Sequence, residues 1–441
     1  MRYRTILLLL GILIITVLVG CQKKEVVVGA ILPESGEAGL IGQALREGIE
    51  TGLTYIQKDE TYPYRLRVEF KDTQSNTDRA EGLFYDLIKD GAVAFIGGVT
   101  SSEALKLMKP VSEQQTVLLS PTASHPDLSG KSSYFFRIYP SDLREVAILA
   151  NFTVKYVKPS SLTVIYQKSD YATGFVQSYT EELKKNAISN VDTLELPPSM
   201  DQHDRAVTEA LLKKPDAVCI IGYPDALVGL LKDLRNNAYE GTILTTSAVT
   251  APGIMARCGE LTRGILFCKP PFTVDENENP LTEYFLKTYE ERYGRPPSLL
   301  AGYGFDAILV MAEALRSGGY YREDVRKGLI GLQGFSGVTG PTVFNSQGDV
   351  NKAYRVFKCL GNIQLDYVKF KDYKRELLRQ MIIDLRSGKD GGSGTLTRED
   401  LKSYSEDQLR ELAKKVGLDS LGTRDELMEK ILKALETVDP A

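Results

Sequence analysis

From residue 25 onward, short apolar runs and helical stripes take turns along the chain. EVVVGAIL is a continuous apolar run of strand length, and QALREGIETGLTYI then spaces its apolar residues as a helix does. RLRVEF alternates like a strand, DRAEGLFYDLIKD returns to the helical period, and AVAFIGG is another buried strand, followed by helix EALKLMKPV and strand TVLLS. The cycle then restarts: DLREVAILANFTVKYV, SLTVIYQ, FVQSYTEELKKNA, VDTLEL, RAVTEALLKK, AVCIIG, ALVGLLKDLRNN and GTILTTS are helix and strand patterns in turn. Unbroken apolar strands separated by amphipathic helices predict parallel sheets with helices on both faces. There are too many units for one sheet. The pattern predicts an α/β chain of two doubly wound lobes, with a seam near FRIYPSDLRE.

Beyond residue 280 the texture is helical again: PLTEYFLKTYEERYG, AILVMAEALRSGG and REDVRKGLIGL. GVTGPTVFNSQGD is rich in turn residues, and AYRVFKCLGNIQLDYVKF predicts a closing hairpin around a Gly-Asn turn. Past Lys371 the composition changes. KRELLRQMIIDLRSG predicts a charged helix and KDGGSGT a flexible linker. The last stretch predicts two short amphipathic helices opened by capping boxes, Ser405 with Gln408 and Thr423 with Glu426. Leu409, Leu412, Val416 and Leu418 of the first would face Leu427, Ile431 and Leu432 of the second.

The N-terminus has a different logic. Arg2 and Arg4 precede an apolar run from Ile6 to Gly20, shorter than the ~20 apolar residues of a membrane span. Leu18-Val19-Gly20-Cys21 resembles a bacterial lipobox. The resemblance implies a signal peptide over 1–20, lipidation of Cys21, and a polar tether over 21–24. Several acyl chains hold a protein at a membrane far more firmly than one. Gln22 stands where an aspartate would resemble an inner-membrane retention signal, which points to the outer membrane in a host with two.

Composition narrows the chemistry. The 441 residues are 43% hydrophobic and 25% charged with a net charge of −4, so nothing global points to nucleic acid. With only His125 and His203 as histidines, a histidine-based metal site is not expected; no phosphate loop of the G-x-x-x-x-G-K type is present, and no cofactor is expected. Of the five cysteines, Cys219 in VCII is expected as a buried core thiol, and a Cys258–Cys268 disulfide is left open.

The stretches GAILPESGEAGLIGQALREGIE, FIGGVTSSEALKLM, LLSPTASHPDLS, VIYQKSDYATGF, IIGYPDALVGLLKDLR, GFDAILVMAEAL and GVTGPTVFNSQGD occur in an order that is similar to the type I periplasmic solute-binding proteins of the branched-chain amino acid and amide-binding family. The resemblance covers residues 25–370. It implies two Rossmann-like lobes joined by three crossovers near 141, 271 and 350, with a ligand held between them. Lobe 1 would comprise 25–141 and 272–350, and lobe 2 would comprise 142–271 and 351–370. A charged helix and linker (371–395) and an all-α module (396–441) would follow. The expected function is capture of a small polar solute and delivery to an ABC permease, without enzymatic activity.

Hydroxyl-rich strand-to-helix turns carry the expected site. In GGVTSSEA, Ser101 and Ser102 lie at a helix N-terminus, where backbone N–H groups and the helix dipole favour an anion; both could also simply cap the helix. The resemblance assigns Ser101 to a ligand carboxylate and Thr122, Ala123 and Ser124 to the turn that also touches it. From the other lobe it assigns Tyr171 and Tyr223, each an aromatic wall with a hydroxyl. Three positions depart from the family's pattern. Ser247 stands where amino acid binders carry an acid that pairs with the ammonium, Ile41 where an aromatic covers the ligand, and Phe305 where a tyrosine is usual. The carboxylate half of the site is therefore expected intact and the ammonium half altered: either Glu34, Glu37 or Asp225 compensates, or the ligand is not an amino acid but one without an ammonium group, such as an organic acid or small amide.

Two other function classes are weighed. The C-terminal stretch YSEDQLRELAKKVGLDSLGTRDELMEKILKAL resembles SAP-like helix–extended–helix modules, which suggests a ligand-sensing envelope scaffold with a protein partner for residues 396–441, or a solvated tail with none. Its mixed charge gives no basic patch for nucleic acid. A serine hydrolase could use Ser101, His125 and Asp127, but no G-x-S-x-G elbow is present.

Overall fold

The computed structural model describes residues 23–186, 188–197, 202–270, 272, 280–361, 363–368, 401–402, 404–415, 418 and 422–436. The expected signal segment, Cys21, and the charged helix and linker after residue 371 lie outside these residues.

The first sheet has five parallel strands in the order β2-β1-β3-β4-β5: β1 (Lys24–Leu32), β2 (Tyr64–Asp72), β3 (Ala94–Gly97), β4 (Val117–Ser120) and β5 (Phe135–Arg137). Its crossovers carry α1 (Gly39–Lys58), α2 (Thr77–Lys89) and α3 (Ser101–Glu113). The apolar run of β1 is unbroken because both faces are buried. Val26, Val28, Ala30 and Leu32 pack into one core with Leu45 and Ile49 of α1, whereas Ile31 packs into another with Phe84 of α2 and Leu107 of α3.

The second sheet has seven strands in the order β14-β13-β10-β9-β8-β6-β7: β6 (Leu162–Tyr166), β7 (Val191–Glu195), β8 (Ala217–Ile221), β9 (Thr242–Thr245), β10 (Leu266–Lys269), β13 (Arg355–Leu360) and β14 (Ile363–Asp366). Five are parallel, and β13 and β14 close the edge as the expected antiparallel hairpin, with Gly361 at φ +69° in its turn. Around this sheet lie α4 (Asp142–Phe152), α5 (Asp170–Lys185), α6 (His203–Leu211), α7 (Pro224–Asn236) and α8 (Ile254–Cys258).

The chain passes between the sheets three times. It leaves β5 through 138–141 into α4, which packs on α5 and β10 of the second sheet. It returns after β10 to α9 (Pro280–Tyr293), α10 (Leu299–Gly318) and α11 (Arg322–Ile330). After the small hairpin of β11 (Phe335–Gly337) and β12 (Gly340–Thr342) it crosses again through 343–354. Helices α10 and α1 approach so closely that a Cβ on Gly48 would stand 1.9 Å from the Ala301 carbonyl oxygen, and one on Gly304 would stand 2.1 Å from that of Leu45. The architecture is thus the two-lobe α/β fold that the alternating pattern predicted.

The open question of a Cys258–Cys268 disulfide is answered in the negative: both are free thiols. Cys268 faces the core beneath α4 and α5, and Cys258 joins the core on the opposite face of the sheet, with Val218, Ile220 and Phe267. The C-terminal helices α12 (Glu406–Lys415) and α13 (Arg424–Glu436) are both present. Ser405 and Gln408 exchange backbone and side-chain hydrogen bonds (2.8 and 3.2 Å), and so do Thr423 and Glu426 (2.7 and 3.4 Å), which forms both capping boxes. Leu409, Leu427 and Ile431 are buried, as are Ala413 and Met428, while Leu418 and Leu432 are half-buried. Val416 lies outside the described residues.

Candidate functional site

The cleft opens where parallel strands of both sheets end, the place at which α/β folds expose backbone and side-chain groups together. It encloses about 600 Å³ counting the space that opens to solvent, and its walls come from both lobes.

One wall is built by the turns after β3 and β4. Thr100, not Ser101 or Ser102, is the N-cap of α3: its hydroxyl accepts from Glu103 N–H at 3.1 Å, and the Glu103 carboxylate accepts from Thr100 N–H at 3.3 Å. This box places Ser101 in the first turn, where the uncapped backbone N–H groups and the positive end of the helix favour an anion. Ser101, Thr122 and Ser124 line the cleft with Thr100 and Val99. The Thr122 hydroxyl donates to the Val99 carbonyl at 2.8 Å, and Ser101 Oγ accepts from His125 N–H at 3.3 Å.

The other wall belongs to the second lobe. Tyr171 and Tyr223 line it, together with Ser247 and its neighbours Ala248, Thr250 and Ala251 in a short 3₁₀ turn after β9. The Tyr171 hydroxyl donates to Thr246 Oγ1 at 2.7 Å. Burial pushes both tyrosine hydroxyls well above their ordinary range, so they stay protonated as donors. Ile41 from α1 and Leu300 from α10 give the cleft its aliphatic side.

Seven expected residues therefore meet in one place: Ile41, Ser101, Thr122, Ser124, Tyr171, Tyr223 and Ser247. Three do not. Ala123 turns inward, 1% exposed, with its N–H donating to Ser120 Oγ at 3.0 Å. Ser102 is half-buried in the first turn of α3, outside the cleft lining. Phe305 is fully buried with its ring 4.7 Å from that of Phe285, on the side of α10 that packs against α1. Five residues separate it from Leu300, about 140° around the helix, so the two cannot share a face.

The candidate replacement acids are also placed elsewhere. Glu34 pairs with Arg46 at 2.7 Å, Asp225 pairs with Arg257 at 2.6 Å, and Glu37 is exposed. Sequence reasoning missed the two carboxylates behind the cleft. Glu145 accepts from Ser247 N–H at 2.6 Å and from Ser247 Oγ at 2.8 Å. Asp142 lies one turn earlier on α4. Burial, reinforced by Asp142, pushes the Glu145 carboxyl up to about 8, and burial pushes Asp142 up to about 7. Tyr139, also missed, donates its hydroxyl to Ser247 Oγ at 2.8 Å and lines the cleft. A signal existed: Asp142 and Glu145 fall at the helical spacing of Val146, Leu149 and Phe152, on the buried stripe of α4.

The hydrolase relay is not assembled. Ser101 Oγ meets the backbone of His125, His125 Nδ1 accepts from Asp127 N–H at 3.1 Å, and the other side of the imidazole faces Gly174 of α5. Among the described residues no group of acidic, histidine or cysteine side chains has the arrangement of a metal site.

With this geometry in hand, comparison with known proteins gives a consistent result. The Periplasmic binding protein family model matches residues 25–362. A Leu/Ile/Val-binding protein homologue of Brucella melitensis is 21% identical over 340 residues, which is 76% of this chain and 91% of that protein. A leucine-binding protein of Thermotoga maritima superimposes with a TM-score of 0.71 at 23% identity, over 77% of this chain and 97% of that one. A solute-binding protein of R. palustris in complex with benzoate gives a TM-score of 0.71 at 19% identity, over 78% and 95%.

Proposed function

The chain belongs to the periplasmic binding protein family, and from that premise we propose that it captures one small polar solute by closure of its lobes and hands it to an ABC permease. The ligand would be an amino acid or a related carboxylate or amide. The observation that carries this reading is the cleft itself. A helix N-terminus and three hydroxyl residues, Ser101, Thr122 and Ser124, stand on one lobe, opposite Tyr171, Tyr223 and Ser247 on the other. The curated relative named for leucine, isoleucine and valine, and the structural neighbour holding benzoate, support a carboxylate as the common element. Closure would strip water from the solute, and the hydroxyls and amides would replace it. A lipid on Cys21 would tether the protein at the outer face of a membrane; loss of labelled palmitate incorporation in Cys21→Ala tests this part.

The function is tested by a thermal-shift screen of the full chain against amino acids, organic acids and amides. A true ligand at about 100 times its dissociation constant adds about 2.7 kcal/mol and raises the melting temperature visibly. A screen in which no member stabilises the protein would overturn the reading.

A second reading, a ligand-sensing scaffold, is favoured by the two capped helices α12 and α13, which lie beyond the family match ending at residue 362. Deleting residues 372–441 is expected to leave solute affinity unchanged and to abolish recovery of an envelope protein by crosslinking. Unchanged crosslinking would remove the second reading.

A further inference from the structure

Two carboxylates lie behind the cleft wall without an ion-pair partner among the described residues. Glu145 is 0% and Asp142 1% exposed. Among the described residues neither oxygen of Asp142 has a hydrogen-bond partner; the Ser124 hydroxyl is a polar neighbour, but not in bonding geometry. Arg137 acts on Asp142 only from a distance, because its guanidinium is engaged by Asp349 at 2.6 Å, the His125 carbonyl at 2.9 Å and Ser129 at 2.7 Å. Buried negative charge without a cation is costly, and proteins ordinarily remove it by pairing.

Ser247 connects this charge to the cleft. Its hydroxyl donates to Glu145 Oε2 at 2.8 Å and accepts from the Tyr139 hydroxyl at 2.8 Å. A serine hydroxyl has one proton and two lone pairs. With Glu145 ionised, the proton and one lone pair are occupied, so Ser247 can only accept a further hydrogen bond from the cleft, and it does so with a carboxylate behind it. An acceptor of this kind selects a donor, above all a charged one.

Building on the solute-binding reading above, we infer that Glu145, acting through Ser247 and aided by Asp142, is a positioning residue for a cationic hydrogen-bond donor, the primary ammonium of the bound solute. The ligand class that fits both walls is then a zwitterion, with its carboxylate toward the N-terminus of α3 and its ammonium toward Ser247. The ammonium supplies the missing counter-charge, so its arrival draws the proton off the carboxyl pair. Among the described residues no cation competes for Glu145. Tyr139 and Tyr354 face it from the first and third crossings, Tyr171 from α5, Cys219 from β8 and Cys268 from β10, with Asp142 on its own helix.

The test is calorimetric titration of the full chain with L-leucine, L-isoleucine, L-valine and L-glutamine, each beside its ammonium-free acid. At least one amino acid is expected to bind about tenfold or more tighter than its partner acid. Its binding near neutral pH is expected to release protons, seen as a heat that differs between phosphate and Tris buffers. Glu145→Gln should shrink both the proton release and the ratio of amino acid to acid affinity, with the larger loss falling on the amino acid. An ammonium-free acid that binds the native protein as tightly as its amino acid overturns the inference and leaves the solute-binding reading standing. So does a preference that Glu145→Gln leaves undiminished. Binding of no amino acid and no acid overturns the solute-binding reading and the inference together.

Discussion

Arg137 Nε meets Asp349 Oδ1 at 2.6 Å, with the arginine side chain fully out of water. The pair fastens the end of β5, where the first crossing departs, to the third crossing at 343–354. Arg137 N–H also donates to Gly348 O at 3.0 Å. Removing one partner of such a pair leaves a bare buried charge at a cost of about 3–5 kcal/mol. Arg137→Met and Asp349→Asn are each expected to lower the unfolding free energy by that order in urea titrations. Lys89→Ala, which breaks the exposed Lys89–Asp86 pair, should change it by no more than about 0.5 kcal/mol.

The carboxyls of α4 predict a slope of stability with pH. Their folded values, about 7 for Asp142 and about 8 for Glu145, lie above the ~4 of an unfolded carboxyl. Between those limits the folded chain holds more protons than the unfolded one. The stability these protonated groups contribute is therefore present in full below ~4 and lost as pH rises through 7 to 8. Urea unfolding of ligand-free protein should give a stability lower at about pH 8 than at about pH 5 by on the order of 6 kcal/mol for the two groups together. Glu145→Gln should remove a large part of that difference, whereas a flat profile in the native protein would mean that water reaches both carboxyls.

Gly174 and His125 report on closure. A Cβ at Gly174 would stand 2.4 Å from His125 Nε2, across the gap between α5 and the loop after β4. The expected effect of Gly174→Ala is to hold the lobes apart, weakening solute affinity about tenfold and enlarging the ligand-bound radius of gyration in X-ray scattering. An unchanged affinity would show that the His125 loop yields freely.

Phe305 separates core from cleft. Phe305→Ala should cost about 3–5 kcal/mol of stability by emptying the seam between α1 and α10, with solute affinity little changed. Leu300→Ala, on the cleft side of the same helix, should do the reverse and weaken binding with a smaller loss of stability. Equal effects on affinity from both variants would contradict their separation around the helix.

Much of this fold was legible because parallel strands buried on both faces write long apolar runs, as in AVCIIG, and because Ser405 and Thr423 write their caps locally. The hydroxyl wall was legible for the same reason: Ser101, Thr122 and Ser124 sit in turns whose residues are adjacent in sequence. What escaped depends on where distant segments meet. Glu145 and Ser247 are 102 residues apart, and nothing in TTSAVT announces that an acid from another helix backs its serine. The placing of Phe305 failed on helix phase, since GFDA by position could face the cleft or the core. At Thr100 the two serines that follow obscure the stronger capping pattern, a threonine three residues before Glu103.

The thiols on the two faces of the second sheet have a practical consequence. Cys219, Cys268 and Cys359 are wholly buried and unpaired, and Cys258 is 5% exposed. None can react with an alkylating reagent while the sheet and its covering helices stay together. Each therefore acts as a silent clock: its rate of modification in native buffer counts the openings of the lobe around it. A bound solute that joins the two lobes should slow all four clocks at once.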